Sequence, residues 1–135
     1  MTVVDSPRTT MESYLQALLT RGSFADYLSD DVALELVGSG QSAHGRTEVA
    51  GMIRYVHEQV FDATAKLKSL VVEGMSAALE ADFVGRHTAE FAGIPATGRL
   101  VRLPYSVHYD LTTDGQVSAL RIYGLADELV HALTA

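Results

Sequence analysis

From Leu67 to Tyr123 the chain reads as strand after strand, joined by turn residues and broken by no helical repeat. Leu67–Glu73, Ser76–Phe91, Gly98–Leu111 and Gln116–Tyr123 carry the β-branched and aromatic residues that suit a pleated, half-buried surface. Their connections are too short for a parallel crossover, which takes about a dozen residues, so neighbouring strands must run antiparallel. Asp114-Gly115 between the last two is a tight-hairpin signal. Such a meander has a face to bury, and the cover must come from the rest of the chain.

Helical patterns on either side supply that cover. Pro7 fits the first helical position after Ser6, and Thr9 with Glu12 has capping-box spacing, so a helix starts within 6–10. Met11, Tyr14, Leu15, Leu18 and Leu19 share one face of it, Gly22 ends it, and Ser23 can cap a short second helix through Leu28. A strand, Val32–Val37, follows Asp30-Asp31, and a Gly/Ser-rich loop runs from Gly38 to Gly45. From Thr47 a long helix places Val49, Met52, Ile53, Val56 and Val60 on one face, with His57 beside it. A short helix from Asp127 to the end carries Leu129 and Leu133. The expectation is one α+β domain, residues 1–135, with helices packed on one face of a curved, mostly antiparallel sheet.

Composition removes several classes of function. Seventeen acidic against ten basic residues give a net charge of −7, which argues against nucleic acid, since phosphate binding needs clustered Lys and Arg. With no cysteine there is no disulfide, thiol nucleophile or thiolate zinc site. His44, His57, His87, His108 and His131 lack metal-ligand spacing, and no glycine-rich phosphate loop opens a helix. No metal or other cofactor is therefore expected. The apolar runs fall well short of the roughly 20 residues of a membrane span, and the N-terminus lacks a basic start before an apolar run. A cytoplasmic protein is the expectation.

Alternation along the strands picks out inward side chains. Leu79, Ala81, Phe83 and His87 share a parity, so His87 should face the core; it is either a proton-transfer group or a core histidine with satisfied nitrogens. Tyr14 lies on the buried helix face. Tyr105 alternates with Leu103 and Val107 and should line a pocket or an interface. Val32, Leu34 and Leu36 would share the inward side of their strand, which turns Glu35 outward.

Residues 85–99 read Gly-Arg-His-Thr-Ala-Glu-Phe-Ala-Gly-Ile-Pro-Ala-Thr-Gly-Arg. This resembles the His-x-Gly-x-Phe-x-Gly-Ile-Pro-x-Thr-Gly segment of SnoaL-like polyketide cyclases, with Ala89 in place of a glycine. The His44-Gly45-Arg46-Thr-Glu-Val entry to the long helix is similar to the family's as well. The resemblance implies a cone-shaped α+β barrel of the nuclear transport factor 2-like superfamily, shared with ketosteroid isomerase and limonene-epoxide hydrolase. It also implies a homodimer through the outer sheet face. The implied activity is cofactor-free cyclisation, isomerisation or epoxide opening of a small apolar, polyketide- or terpenoid-like compound in an enclosed pocket. The pocket residues would be Leu18, Val56, Phe83, Tyr105 and Ile122.

By the same resemblance His87 would move protons, Tyr14 would stabilise an oxyanion, and Glu35 falls near the ketosteroid isomerase base when Val37-Gly38-Ser39 anchors the comparison. Anchoring on Asp30-Asp31 puts Leu36 there instead. The last strand departs from the family: Ile122 stands where the acid–base aspartate is expected. A binding or assembly protein that kept the fold and lost that carboxylate is therefore the alternative.

Overall fold

The structure, a computed structural model, describes residues 6–134. Residues 1–5, on which part of the no-leader expectation rests, and residue 135 lie outside the described residues. The first helix, α1 (Pro7–Leu19), is capped by Ser6, whose Oγ accepts the Thr9 N–H at 3.2 Å. The cap falls at Ser6 and not at Thr9 because Pro7, which has no N–H, already fits the next position. At its far end Gly22 N–H reaches the Ala17 carbonyl at 2.7 Å and Arg21 N–H the Leu18 carbonyl at 3.1 Å. This is a Schellman closure in which Arg21, and not the expected Gly22, takes the left-handed position, at φ 55°. Met11, Tyr14 and Leu15 are buried. Leu19 is 41% exposed, at the end of a helix whose sheet contacts are to β3 and β4.

A single 3₁₀ turn, Phe24–Tyr27, replaces the short second helix, and Ser23 makes no capping bond. Six strands follow in chain order: β1 (Leu28–Leu36), β2 (Gln41–His44), β3 (Phe61–Glu73), β4 (Ser76–His87), β5 (Leu100–Leu111) and β6 (Val117–Tyr123). They form one sheet in the order β2-β1-β6-β5-β4-β3, in which only β1 and β6 are parallel. The α+β reading holds, and the sheet remains open, with β2 and β3 at its edges. β2 occupies half of the stretch expected to be loop, and β3 begins six residues before its expected start.

Two further helical pieces complete the cover. The helix α2 (Arg46–Arg54) passes into a π-helical turn, Tyr55–Val60, where one continuous α-helix was expected. The last helix, α3 (Ala126–Thr134), buries Leu129 and Leu133 as their spacing predicts. Cross-strand partners share a face, so register defines the inner surface. One row runs Leu70–Leu79–Val107–Ile122–Leu36, and another Ala65–Phe83–Leu103. The core divides into a larger cluster under α1 and α2 and a smaller one, around Phe61, Phe83 and Val101, under α3. Tyr105 and Ile122 pack against both. No described helix is long and apolar enough to cross a membrane.

Candidate functional site

β4 ends at His87 because the chain turns there onto the π-helical segment: the Thr88 and Ala89 N–H groups both reach the Val60 carbonyl, at 2.8 and 3.2 Å. The chain then makes a tight reversal in which Phe91 and Ile94 exchange both backbone bonds, with Ala92 at φ 51° and Gly93 at φ 80°. Positive φ at both central residues is the type I′ pattern. It sends the chain back so that Thr97 lies beside His87.

His87 is completely buried, as its parity predicts. Its Nδ1 accepts the Thr97 N–H at 3.1 Å and lies 2.9 Å from the Thr97 hydroxyl, which itself accepts the Arg99 N–H at 3.2 Å. A backbone N–H can only donate, so Nδ1 is the acceptor and the ring hydrogen sits on Nε2. Nε2 has no hydrogen-bond partner. The ring packs on Phe61 at 5.2 Å, and Phe61 meets Phe83 edge-on at 5.2 Å.

A second histidine adjoins the same aromatic pair from the π-helical turn. His57 lies 5.7 Å from Phe83, and its Nδ1 is 2.9 Å from the Ile53 carbonyl. That carbonyl can only accept, so here Nδ1 carries the hydrogen and Nε2 offers a lone pair, again without a partner. Burial pushes this imidazole below its ordinary value, opposed by the Ile53 carbonyl and reinforced by the Arg21 charge. The two rings are thus opposite tautomers, His87 against Phe61 and His57 against Phe83: one carries an N–H at Nε2, the other a lone pair. Sequence spacing places His57 beside the helix face but gives it no role; the available signal is a histidine four residues after buried Ile53.

Tyr14 is buried in the larger cluster, edge-on to Phe24 at 6.3 Å and Tyr109 at 5.9 Å. Burial raises its phenol pKa well above the ordinary value, with Tyr105 adding to the effect. Tyr109 is raised likewise, and burial pushes Tyr105 up to about 12. All three phenols therefore stay protonated and able to donate. Phe83 is fully buried, whereas Val56, Tyr105 and Ile122 are half-buried hydrophobics packed on the smaller cluster. Leu18 packs on the larger cluster, as Tyr105 and Ile122 also do, and lies in the wall of a cavity beneath the end of α1.

Glu35 is not brought to this site. It is exposed, in register with Arg121 on the outer face, as strand parity predicts and the ketosteroid isomerase anchoring does not. Ile122 does face inward, in register with Val107 and Leu36. An apolar side chain therefore occupies the place where the resemblance expects a carboxylate. Among the described residues Asp82 is the buried carboxylate, and it lies on the outer face under Lys68 (2.9 Å) and Arg102 (3.0 Å). No cluster of three or more His, Asp or Glu suited to a metal occurs among the described residues.

A family model, SnoaL-like polyketide cyclase, matches residues 10–123. A structure assigned to the SnoaL-like polyketide cyclases, from Jannaschia sp. CCS1, superimposes with a TM-score of 0.83 at 18% identity, covering 100% of this chain and 96% of that one. A polyketide cyclase candidate from Xanthomonas campestris pv. campestris gives 0.77 at 20% identity, covering 96% of each chain. A ketosteroid isomerase candidate from Kribbella flavida DSM 17836 gives 0.66 at 24% identity, covering 87% of this chain and 76% of that one. These structures share the fold. No curated protein is similar enough to match.

Proposed function

Because the chain belongs to the SnoaL-like polyketide cyclase family, whose general role is cyclase or isomerase chemistry, we propose that it is a cofactor-free enzyme acting on a small apolar, oxygenated compound. Ring closure beside a carbonyl, double-bond isomerisation and epoxide opening all build negative charge on a substrate oxygen. The observation that carries the reading is the unpartnered Nε2–H of His87, fixed in its tautomer by Thr97 and buried against the Phe61 ring. A donor held ready in a water-poor setting stabilises such charge without reorganising, an effect of order 10²–10³ in rate for one donor. Tyr14 is a protonated donor as well, but it lies in the larger cluster against Phe24 and Tyr109, so the reading rests on His87. Glu35 has no part in it.

Three compounds test this: a poly-β-ketone that can close a ring, a β,γ-unsaturated cyclic ketone and a cyclic epoxide. Turnover of at least one is expected, with a loss of about 10²-fold in His87→Phe and a smaller loss in His87→Gln, which retains an N–H donor. Turnover of none, or full activity in folded His87→Phe, would overturn the reading. The inward Ile122 favours the second reading, a protein that binds such compounds without converting them. Saturable binding with no turnover would establish it.

A further inference from the structure

His87 is wholly buried, its Nε2 included, so no compound can meet that donor while the molecule is closed. The residue lines neither the cavity beneath the end of α1 nor the smaller void beside Tyr105 and Tyr109. A part of the cover must therefore move, and its parts are fastened differently. β3 to β6 are joined by hydrogen-bonded ladders. The reversal after His87 is tied at both ends, by Thr88 and Ala89 to the Val60 carbonyl and by the Gly98 N–H to the His87 carbonyl at 3.0 Å.

α3 belongs to no ladder, and Gly124, at φ 77°, lies between it and the end of β6. A helix satisfies its own backbone groups, so its release leaves no strand unpaired. Leu129 and Leu133, with Leu125 just before the helix, form an i, i+4, i+8 stripe buried in the smaller cluster with Phe61, Phe83 and Val101. Such apolar contact is non-directional and can be broken and remade. Polar fastening comes from Arg99, whose Nη1 donates to the Ala132 carbonyl at 3.1 Å in the last turn of the helix. The Arg99 carbonyl accepts the His87 N–H at 2.9 Å, and the Arg99 N–H donates to the Thr97 hydroxyl that meets Nδ1. Arg99 thus connects α3 to the network that holds His87.

We propose that α3 is the door of the His87 site: it swings out about Gly124, breaking the Arg99–Ala132 bond, and uncovers Nε2 to an apolar compound that takes the place of the leucine stripe. The inference rests on His87 being the working donor of the proposed reaction. The opening itself needs no substrate and is read without one, so failure of turnover and failure of the door are separate results.

Hydrogen exchange of the full chain, followed by NMR, is the test. The Leu129 and Leu133 amides and the His87 Nε2–H should exchange through one common opening, more populated than the global unfolding that releases the β4 amides. Arg99→Gln should raise that opening about fivefold at both places. Val32→Ala, in the larger cluster that stays packed when the door opens, should speed the β4 amides about tenfold and leave the α3 and His87 rates unchanged. Exchange of His87 Nε2–H only with the β4 amides, its exchange without that of α3, unchanged rates in Arg99→Gln, or α3 and His87 rates that rise with the β4 amides in Val32→Ala would each overturn the proposal.

Discussion

Thr97 holds His87 from two sides at one atom: its backbone N–H and its hydroxyl both meet Nδ1, at 3.1 and 2.9 Å. The segment that begins with the histidine thus ends on the residue that fixes the histidine's tautomer. Thr97→Val removes the hydroxyl and its two hydrogen bonds but keeps the backbone donor. The expected result is a loss of about 1–2 kcal/mol in urea denaturation, with the His87 hydrogen still on Nε2 in nitrogen NMR. A switch of tautomer in this variant would show that the hydroxyl, and not the N–H, sets the state.

Gly85 lies between Phe83 and His87 on the inner face, opposite Ala63. A Cβ built there would come within 2.5 Å of the Ala63 Cβ and 3.0 Å of its Cα. Gly85→Ala should therefore cost about 1–3 kcal/mol by forcing β3 away from β4. Adding Ala63→Gly should recover part of the loss. A double-mutant cycle measures the coupling, and strict additivity would refute the steric account.

Ile122→Asp puts a carboxylate on the inner face beside Val107 and Leu36. No buried cation faces it there among the described residues, so the charge loses hydration without compensation and should cost about 1–3 kcal/mol at neutral pH. The deficit should shrink as the solution is acidified and the new carboxyl becomes neutral. Paired wild-type and variant denaturation curves across pH check both the size and the trend.

The lowered His57 value makes stability depend on pH in a defined sense. The unfolded chain binds the proton more readily than the folded one, so this contribution is fully present above the ordinary 6.5 and is lost as pH falls through the depressed folded value. Asp82 and Asp110 are lowered chiefly by hydrogen bonds from Lys68 and Arg121, so their contributions fade only below the ordinary 3.8. His57→Phe should flatten the stability–pH curve in the upper window and leave the lower one unchanged.

The meander was legible because alternation reports directly on which side of a sheet a residue faces, and the same alternation turned His87 inward and Glu35 outward. β2 was not legible: Gln41–His44 is short, largely polar and flanked by glycine, and its pairing with β1 is decided by the partner strand. The π-helical turn was hidden because Tyr55–Val60 has the composition of an ordinary helix, and the hydrogen-bond change responds to how the segment meets β3. That turn brings His57 onto Phe83, so the lone-pair half of the site lay beyond what spacing can show. Thr97 was visible as a motif residue, but its contact with Nδ1 depends on the reversal at Ala92-Gly93, where an alanine adopts a conformation favoured by glycine.

The parallel pairing of β1 with β6 sets the order in which this molecule can be completed at the ribosome. Leu34 finds its neighbour Leu120 only after β2, α2, β3, β4 and β5 have all been made. Until then β1 has β2 on one side and an unsatisfied edge on the other. The sheet is therefore completed only once β6 has emerged, and a stalled chain that lacks β6 presents that edge to chaperones or to other nascent chains.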